Sequence, residues 1–503
     1  MNYASAGSLV AAFRSAASRF GAEGEVLTDS GRRITFGEFD ETVRRLASSL
    51  ARAGIEAGDV VAYWLPNWWE AAAAFYGIAA AGGVACAITP ALRESEAGFI
   101  LDQARPKAIF CPEEFRGFAH AEFARDFDTD LFVISVRGRG VHVEMTSFEG
   151  LVASGSAEFE PDEADPGDDA LILYTSGTTS VPKGVVHTHG GLAAELASLG
   201  PAHGLGDGDV VFMPMPVTHI AGFEYAIGAP LYYGARSVFL DRWDAGRALD
   251  LIAAEGVTVQ IAAPVFVEDE LAHAGLVSTD LSSMRMISLG GAGVTPDLVE
   301  RARAAFTGAV VKRTYGSTEH PTVTTSANGA AADRQTFSEG RVIGANEVRL
   351  VDAELWTRGP ELFRGYVDAS LDVEVLSDGW FRTGDLADVD SDGYVTITGR
   401  RKDVIIRGGE NISASEVEAA LCRIEGVSDA AVVGVADARM GETVAAFVVA
   451  GADAAVLSDD AIRERLWRGG LAKFKTPETI TWRESLPRTP SGKVRKDELR
   501  DTR

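Results

Sequence analysis

Amphipathic stretches alternate with short apolar runs from the start of the chain. Residues 36–53 are amphipathic, residues 60–65 form a brief apolar strand, and residues 69–81 are helical again. The rhythm returns at 210–213, 245–255, 257–261 and 286–289. Such alternation predicts βα units and a mostly parallel sheet. Residues 71–88 make the longest apolar run, which is Ala-rich and broken by Gly77, Gly82 and Gly83. It reads as a buried helix turning into a strand, and no transmembrane segment is expected.

From residue 346 to 398 the pattern shifts to short β-rich pieces with Asp-Gly turns at Asp378-Gly379 and Asp392-Gly393. Beyond them Ser413 and Glu416 make a capping box for a helix over 414–423. Strands are predicted around 430–435 and 444–449, and a second helix over 460–467. The expected fold is α/β: a large multi-subdomain N-terminal body with mostly parallel sheets and a small β subdomain, then a small mobile α+β C-terminal domain. The body is expected over 1–399, with its β subdomain at about 340–399, a hinge at 400–403, and the small domain over 404–503.

A length of 503 residues exceeds what one core usually supports, and 46% apolar with 24% charged residues is ordinary for a soluble globular protein. The formal net charge of -26 repels nucleic acid and anionic membranes at long range, so neither is an expected partner. Residues 471–503 run against that trend with nine Lys and Arg to five Asp and Glu, net +4, a local patch suited to phosphate. Cys86, Cys111 and Cys422 are scattered without disulfide or zinc spacing. A reducing, cytoplasmic location fits, and no secretory leader is recognised.

Two segments carry the strongest chemistry. The apolar run 171–174 leads into Thr175-Ser176-Gly177-Thr178-Thr179-Ser180-Val181-Pro182-Lys183-Gly184, a loop whose unhindered N–H groups and hydroxyls suit phosphate oxygens. Because Lys183 is followed by Gly184 and not by Ser or Thr, this is no Walker loop. Near the other end stands Pro487-Arg488-Thr489-Pro490-Ser491-Gly492-Lys493, a lysine on a Gly-preceded turn. Alone it reads as a surface residue; with the upstream loop it supplies a cation.

Together with Tyr315-Gly316-Ser317-Thr318-Glu319, Trp380-Phe381-Arg382-Thr383-Gly384-Asp385, and Gly399 to Asp403 followed by Gly408-Gly409-Glu410-Asn411-Ile412, these segments resemble the adenylate-forming superfamily. That superfamily includes acyl-CoA synthetases, nonribosomal adenylation domains and firefly-type luciferases, and the resemblance covers almost the whole chain. It implies catalytic roles for Lys493, Glu319 and His219, and Mg²⁺ ligation by Thr178 and Glu319. ATP or coenzyme A contacts are implied at Thr175, Ser176, Gly177, Thr178, Thr179, Lys183, Gly291, Ala292, Tyr315, Gly316, Ser317, Thr318, Asp385, Arg400, Lys402, Gly408 and Gly409. Asp385 would accept from ribose hydroxyls with Arg400 assisting, and Lys402 matches the hinge position. Lys493 resembles the lysine that touches the substrate carboxylate and the α-phosphate, where a fixed ammonium offsets repulsion between two anions.

The resemblance implies a two-step reaction: a carboxylic acid becomes acyl-AMP at the expense of ATP, then passes to coenzyme A. Loading of a carrier protein is the alternative of the same chemistry, and a non-catalytic nucleotide-binding regulatory protein the alternative of another class. Pocket walls are expected from 219–225, 287–292 and 314–321, mostly small and apolar, which favours a monocarboxylic acid, with likeness to the medium-chain and alicyclic acid branch. Two positions depart from the family pattern: Thr218 replaces an aromatic residue before His219, and Ser180 stands where Gly is common. A homodimer is left open.

Overall fold

Parallel pairing dominates the larger part of the chain. The computed structural model describes residues 7–138, 146–161, 164–175, 182–437, 439–451, 457–489 and 492–500. These divide into two compact units. The first comprises Met1–Thr336, Gly340–Glu347 and Arg358–Phe381, and the second Phe337–Glu339, Val348–Thr357 and Arg382–Arg503.

Two sheets build the first unit. In one, strands Val310–Gly316, Met286–Leu289, Val259–Ala262, Val210–Phe212, Arg236–Phe239 and Glu25–Asp29 run parallel in that spatial order, with antiparallel strands at both edges. In the other, Asp169–Thr175, Val84–Ala87, Val60–Tyr63, Ala108–Pro112 and Phe132–Val136 are parallel neighbours. Lys183–Thr188 folds back antiparallel on Asp169–Thr175, and Gly365–Tyr366 closes that edge.

The apolar run around 71–88 is a helix, Trp69–Ala80, followed by strand Val84–Ala87. Every residue of that helix is buried, as expected of a helix without a polar face. Its neighbour Phe36–Arg52 keeps a polar face and starts at Thr35, whose hydroxyl accepts from the Glu38 N–H at 3.2 Å. No helix among the described residues is long and apolar enough to cross a membrane.

In the second unit, strand Val395–Arg400 pairs antiparallel with the latter part of Trp380–Val389, setting Asp385 opposite Arg400. A separate sheet follows in the order Glu410–Ser413, Val404–Arg407, Gly441–Ala450, Val427–Asp437, with Thr479–Arg483 parallel to Gly441–Ala450. Helices Ala414–Cys422 and Asp459–Arg468 bury Val417, Leu421, Ile462 and Leu466 against it. The capping box forms only in half. Ser413 Oγ accepts from the Glu416 N–H at 3.3 Å, but the Glu416 carboxylate turns to Lys475 Nζ, 2.6 Å away. An ion pair outcompetes the reciprocal cap for that side chain.

Candidate active site

The predicted phosphate loop hangs between two paired strands. Thr175 and Lys183 face each other at the ends of the antiparallel pair, so their backbones pin both ends of the intervening loop. Ser176, Gly177, Thr178 and Thr179 lie outside the described residues. The strand that begins with Lys183 does more than close a hairpin. Two residues from it, or paired with it, reach the segment containing Glu319.

His187 is one. Its Nε2 donates to the Thr318 carbonyl at 2.8 Å, and burial lowers its pKa to about 4, so it is a neutral strut at neutral pH. Tyr366, opposite Val185, is the other: its hydroxyl donates to Glu319 Oε1 at 2.8 Å. Burial first, then the Glu319 charge, push the phenol pKa up and keep it a donor. Lys183 Nζ sits 5.4 Å from the centre of the Tyr366 ring, a cation–π distance. Lys183, Thr318 and Glu319 are thus gathered by His187 and Tyr366, neither of which the sequence singles out. No motif flags them, because each acts through a partner far away in the chain.

The turn bearing Glu319 is held from below as well. Ser317 N–H donates to the His320 carbonyl at 2.8 Å, and the Phe363 N–H donates to the Glu319 carbonyl at 2.8 Å. Burial lowers the His320 pKa to about 4, and its ring Nε2 lies 2.9 Å from Asn346 Oδ1. The Asn346 amide in turn donates to Glu361, which orients its oxygen towards His320 and makes His320 Nε2 the donor. Gly316 is required by close approach: a Cβ there would fall 1.4 Å from the Pro321 carbonyl oxygen.

Tyr315 and Gly316 end strand Val310–Gly316, and Gly291 and Ala292 follow its parallel neighbour Met286–Leu289. Both groups therefore leave the sheet at the carboxyl ends of adjacent parallel strands, where open α/β sheets bind ligands. His219 opens helix Ile220–Gly222, which runs on into the π-helical turn Phe223–Gly228. Its N–H donates to the Pro216 carbonyl at 2.9 Å.

The second unit holds the other predicted residues. Asp385 is buried, and its Oδ1 lies 2.9 Å from Arg400 Nε. Glu354, unflagged by the sequence, shapes this corner: one carboxylate oxygen accepts from the Gly384 N–H at 3.0 Å and the other pairs with Arg401 at 2.8 Å. Lys402 lies on the short turn Arg401–Asp403. Gly408 and Gly409 form a two-residue hairpin with φ of 59° and 89°, the left-handed pair that such tight turns favour.

Lys493 is exposed on a closed turn. The Thr489 N–H donates to the Lys493 carbonyl at 2.8 Å, the Lys493 N–H donates to Thr489 Oγ1 at 3.1 Å, and Arg488 donates to the Gly492 carbonyl and pairs with Asp429. The basic tail differs from its sequence count. Lys475, Arg488, Lys496 and Arg500 pair with Glu416, Asp429, Glu418 and Asp403, all outside the tail, so four of its nine basic side chains are met by carboxylates that the local count leaves out.

Comparison with known proteins agrees with this arrangement. The family described as AMP-binding enzyme matches residues 13–367, and its C-terminal domain matches residues 416–493. A medium-chain fatty-acid–CoA ligase of Escherichia coli is 32% identical over 492 residues, covering 94% of this chain and 87% of that protein. A methyl-dioxo-octahydroindenyl-propanoyl:CoA ligase of Rhodococcus jostii is 33% identical, covering 97% of this chain and 98% of that protein. The crystal structure of ATP-bound MatB from Rhodopseudomonas palustris superposes with a TM-score of 0.88 at 29% identity, over 98% of each chain. On its sequence, its fold and the order of its motifs, the chain belongs to the AMP-binding enzyme family.

Proposed function

We propose that the chain is an AMP-forming acid–coenzyme A ligase. The observation that carries this reading is the Lys183–Tyr366–Glu319 assembly: a cation and an oriented carboxylate on either side of one tyrosine, next to the predicted phosphate loop. The names of the relatives support the same chemistry.

In the first step a carboxylate oxygen of the acid attacks the α-phosphorus of ATP, the bond to the β-phosphate oxygen breaks, and pyrophosphate leaves. In the second, the sulfur of coenzyme A attacks the acyl carbon, the acyl–oxygen bond breaks, and AMP leaves. Lys183 would offset charge on the phosphates and Lys493 on the two meeting anions. Asp385, held by Arg400, would accept from the ribose hydroxyls. The residues fit Mg²⁺, since Glu319 offers a carboxylate already anchored through one oxygen by Tyr366. Glu319 and Thr178 would hold the ion, which when bound draws charge off the phosphates.

Residues 1–399 then serve as the adenylating body and 404–503 as the domain that presents Lys493. Residues 400–403 are the hinge that exchanges that ammonium for the incoming thiol. The acid is a monocarboxylic acid of medium-chain or alicyclic type, a reading supported by the buried Val217, Ile220 and Phe223 that flank His219 in the chain. A cytoplasmic setting suits three free cysteines.

The test is a pyrophosphate-release screen over short, medium-chain, aromatic and alicyclic acids, followed by AMP release with and without coenzyme A. Acid-dependent pyrophosphate with CoA-dependent AMP is expected. Pyrophosphate without a CoA response points to a carrier protein as acceptor, and no turnover with any acid sinks the enzymatic reading.

A further inference from the structure

The segment that leads to His219 is gripped by a side chain from the other sheet of the first unit. Asn67 lies in the loop between strand Val60–Tyr63 and helix Trp69–Ala80, and it is buried. Its Nδ2 donates to the Met215 carbonyl at 3.0 Å, and its Oδ1 accepts from the Val217 N–H at 2.9 Å. One amide thereby pairs with both sides of Pro216, in the way a neighbouring strand would, around a residue that has no N–H of its own. The two backbone partners fix which way the Asn67 amide faces.

A second clamp comes from the same sheet. The Thr89 hydroxyl, just after strand Val84–Ala87, lies 3.1 Å from the Thr218 hydroxyl. Between these clamps and His219 the backbone makes a turn closed by His219 N–H to Pro216 O, and Gly222 packs so closely that a Cβ there would lie 1.9 Å from that same carbonyl oxygen. On the far side, the Met215 sulfur stands 3.8 Å from where a Cβ on Gly291 would be. The clamped backbone is therefore continuous with the His219 wall, and the Met215 side chain it carries comes close to Gly291.

We infer that Asn67 is a positioning residue for acid selection: by locking Met215 and Val217 it fixes the wall that measures the acyl group. This rests on the acid-activating reading above. A wall that discriminates by a methylene must hold its place to a fraction of that group's size, and two buried hydrogen bonds from one rigid amide do so. The ATP contacts predicted at Lys183, Thr318 and Glu319 take no part in this clamp, and Gly291 is approached only by the Met215 side chain, not by the two backbone groups that Asn67 holds.

The test uses the full-length enzyme with Asn67→Ala and Thr89→Val. Two accepted acids that differ by one methylene are compared by kcat/KM in pyrophosphate release, with KM for ATP and amide exchange of a peptide covering 213–222 measured alongside. In Asn67→Ala the selectivity ratio is expected to fall about 10-fold, with KM for ATP within about 3-fold of wild type. Thr89→Val should move the ratio the same way by less, and exchange at 213–222 should speed up in Asn67→Ala. An unchanged ratio in a folded Asn67→Ala enzyme, an equal rise in KM for ATP and acid, or unchanged exchange overturns the inference. Should Asn67→Ala fail to fold, an unchanged ratio in Thr89→Val does the same. If the wild-type enzyme activates no acid, the ligase reading falls on that result, while the exchange data still judge the clamp.

Discussion

Tyr366 donates its hydroxyl to Glu319 Oε1 at 2.8 Å while its ring lies beneath Lys183 Nζ. Tyr366→Phe keeps the ring and removes the donor. A hydrogen bond to a charged group contributes about 1.5–3 kcal/mol, so adenylation with MgATP is expected to lose about 10- to 100-fold in kcat/KM. Thiolysis of preformed acyl-AMP should be unaffected. Equal loss in both half-reactions would mean that the tyrosine supports the fold and not the carboxylate.

Lys493 is exposed, and the hydrogen bonds that close its turn run through its backbone. Lys493→Ala should slow acyl-AMP formation by about 100- to 1000-fold, the scale of losing one transition-state charge partner. Reaction of supplied acyl-AMP with coenzyme A is expected to survive. Adenylation at wild-type rate in this variant would remove Lys493 from the mechanism.

Arg488 ties the Lys493 turn to the sheet through Gly492 and Asp429. With Arg488→Ala the ammonium remains but its tether goes, and misplacement of a catalytic group is costly. We expect adenylation to drop by about 10-fold with thiolysis intact, and Arg488→Lys to recover only part, because lysine lacks the fork that meets two acceptors at once. Stopped-flow pyrophosphate release reads the difference.

Glu270 is fully buried, with Gln260 Nε2 donating to it at 2.7 Å. Burial, then the nearby Asp269, raise its pKa to about 8 against the pull of Gln260. The folded protein thus keeps a proton that the unfolded chain releases near pH 4.5. Stability from this group is complete below that pH and declines as pH rises to about 8, by on the order of 5 kcal/mol in total. Glu270→Gln, which carries no titrating proton, should flatten the fall in urea midpoint between pH 5 and pH 8. A slope identical to wild type would show that the carboxyl ionises freely in the native state.

Much of the site was legible because its residues sit in short runs. Thr318 and Glu319, Asp385, and Lys493 each stand within five or six residues of the glycines and hydroxyls that mark them. Elements with a strong pattern were equally plain: the helix Ala245–Glu255 and strand Met286–Leu289 occur where periodicity places them. His187, Tyr366, Glu354 and Asn67 were not legible, since their partners lie from 30 to 150 residues away. The capping box and the basic tail were legible only in part for a related reason. Glu416 and Lys475, and Lys496 and Glu418, find each other across the fold, and charge counted along the chain cannot see such pairs.

By itself the sequence determined the α/β class, the order of the chemical groups and the family. Hydrophobic period and local motifs are properties of neighbours in the chain, and they survive without a fold. The tertiary structure alone decided which carboxylates are held, which cations are already paired, and what grips the segment before His219. Those are outcomes of burial and geometry: a buried hydrogen bond exists only once two distant strands have placed donor and acceptor within 3 Å of each other.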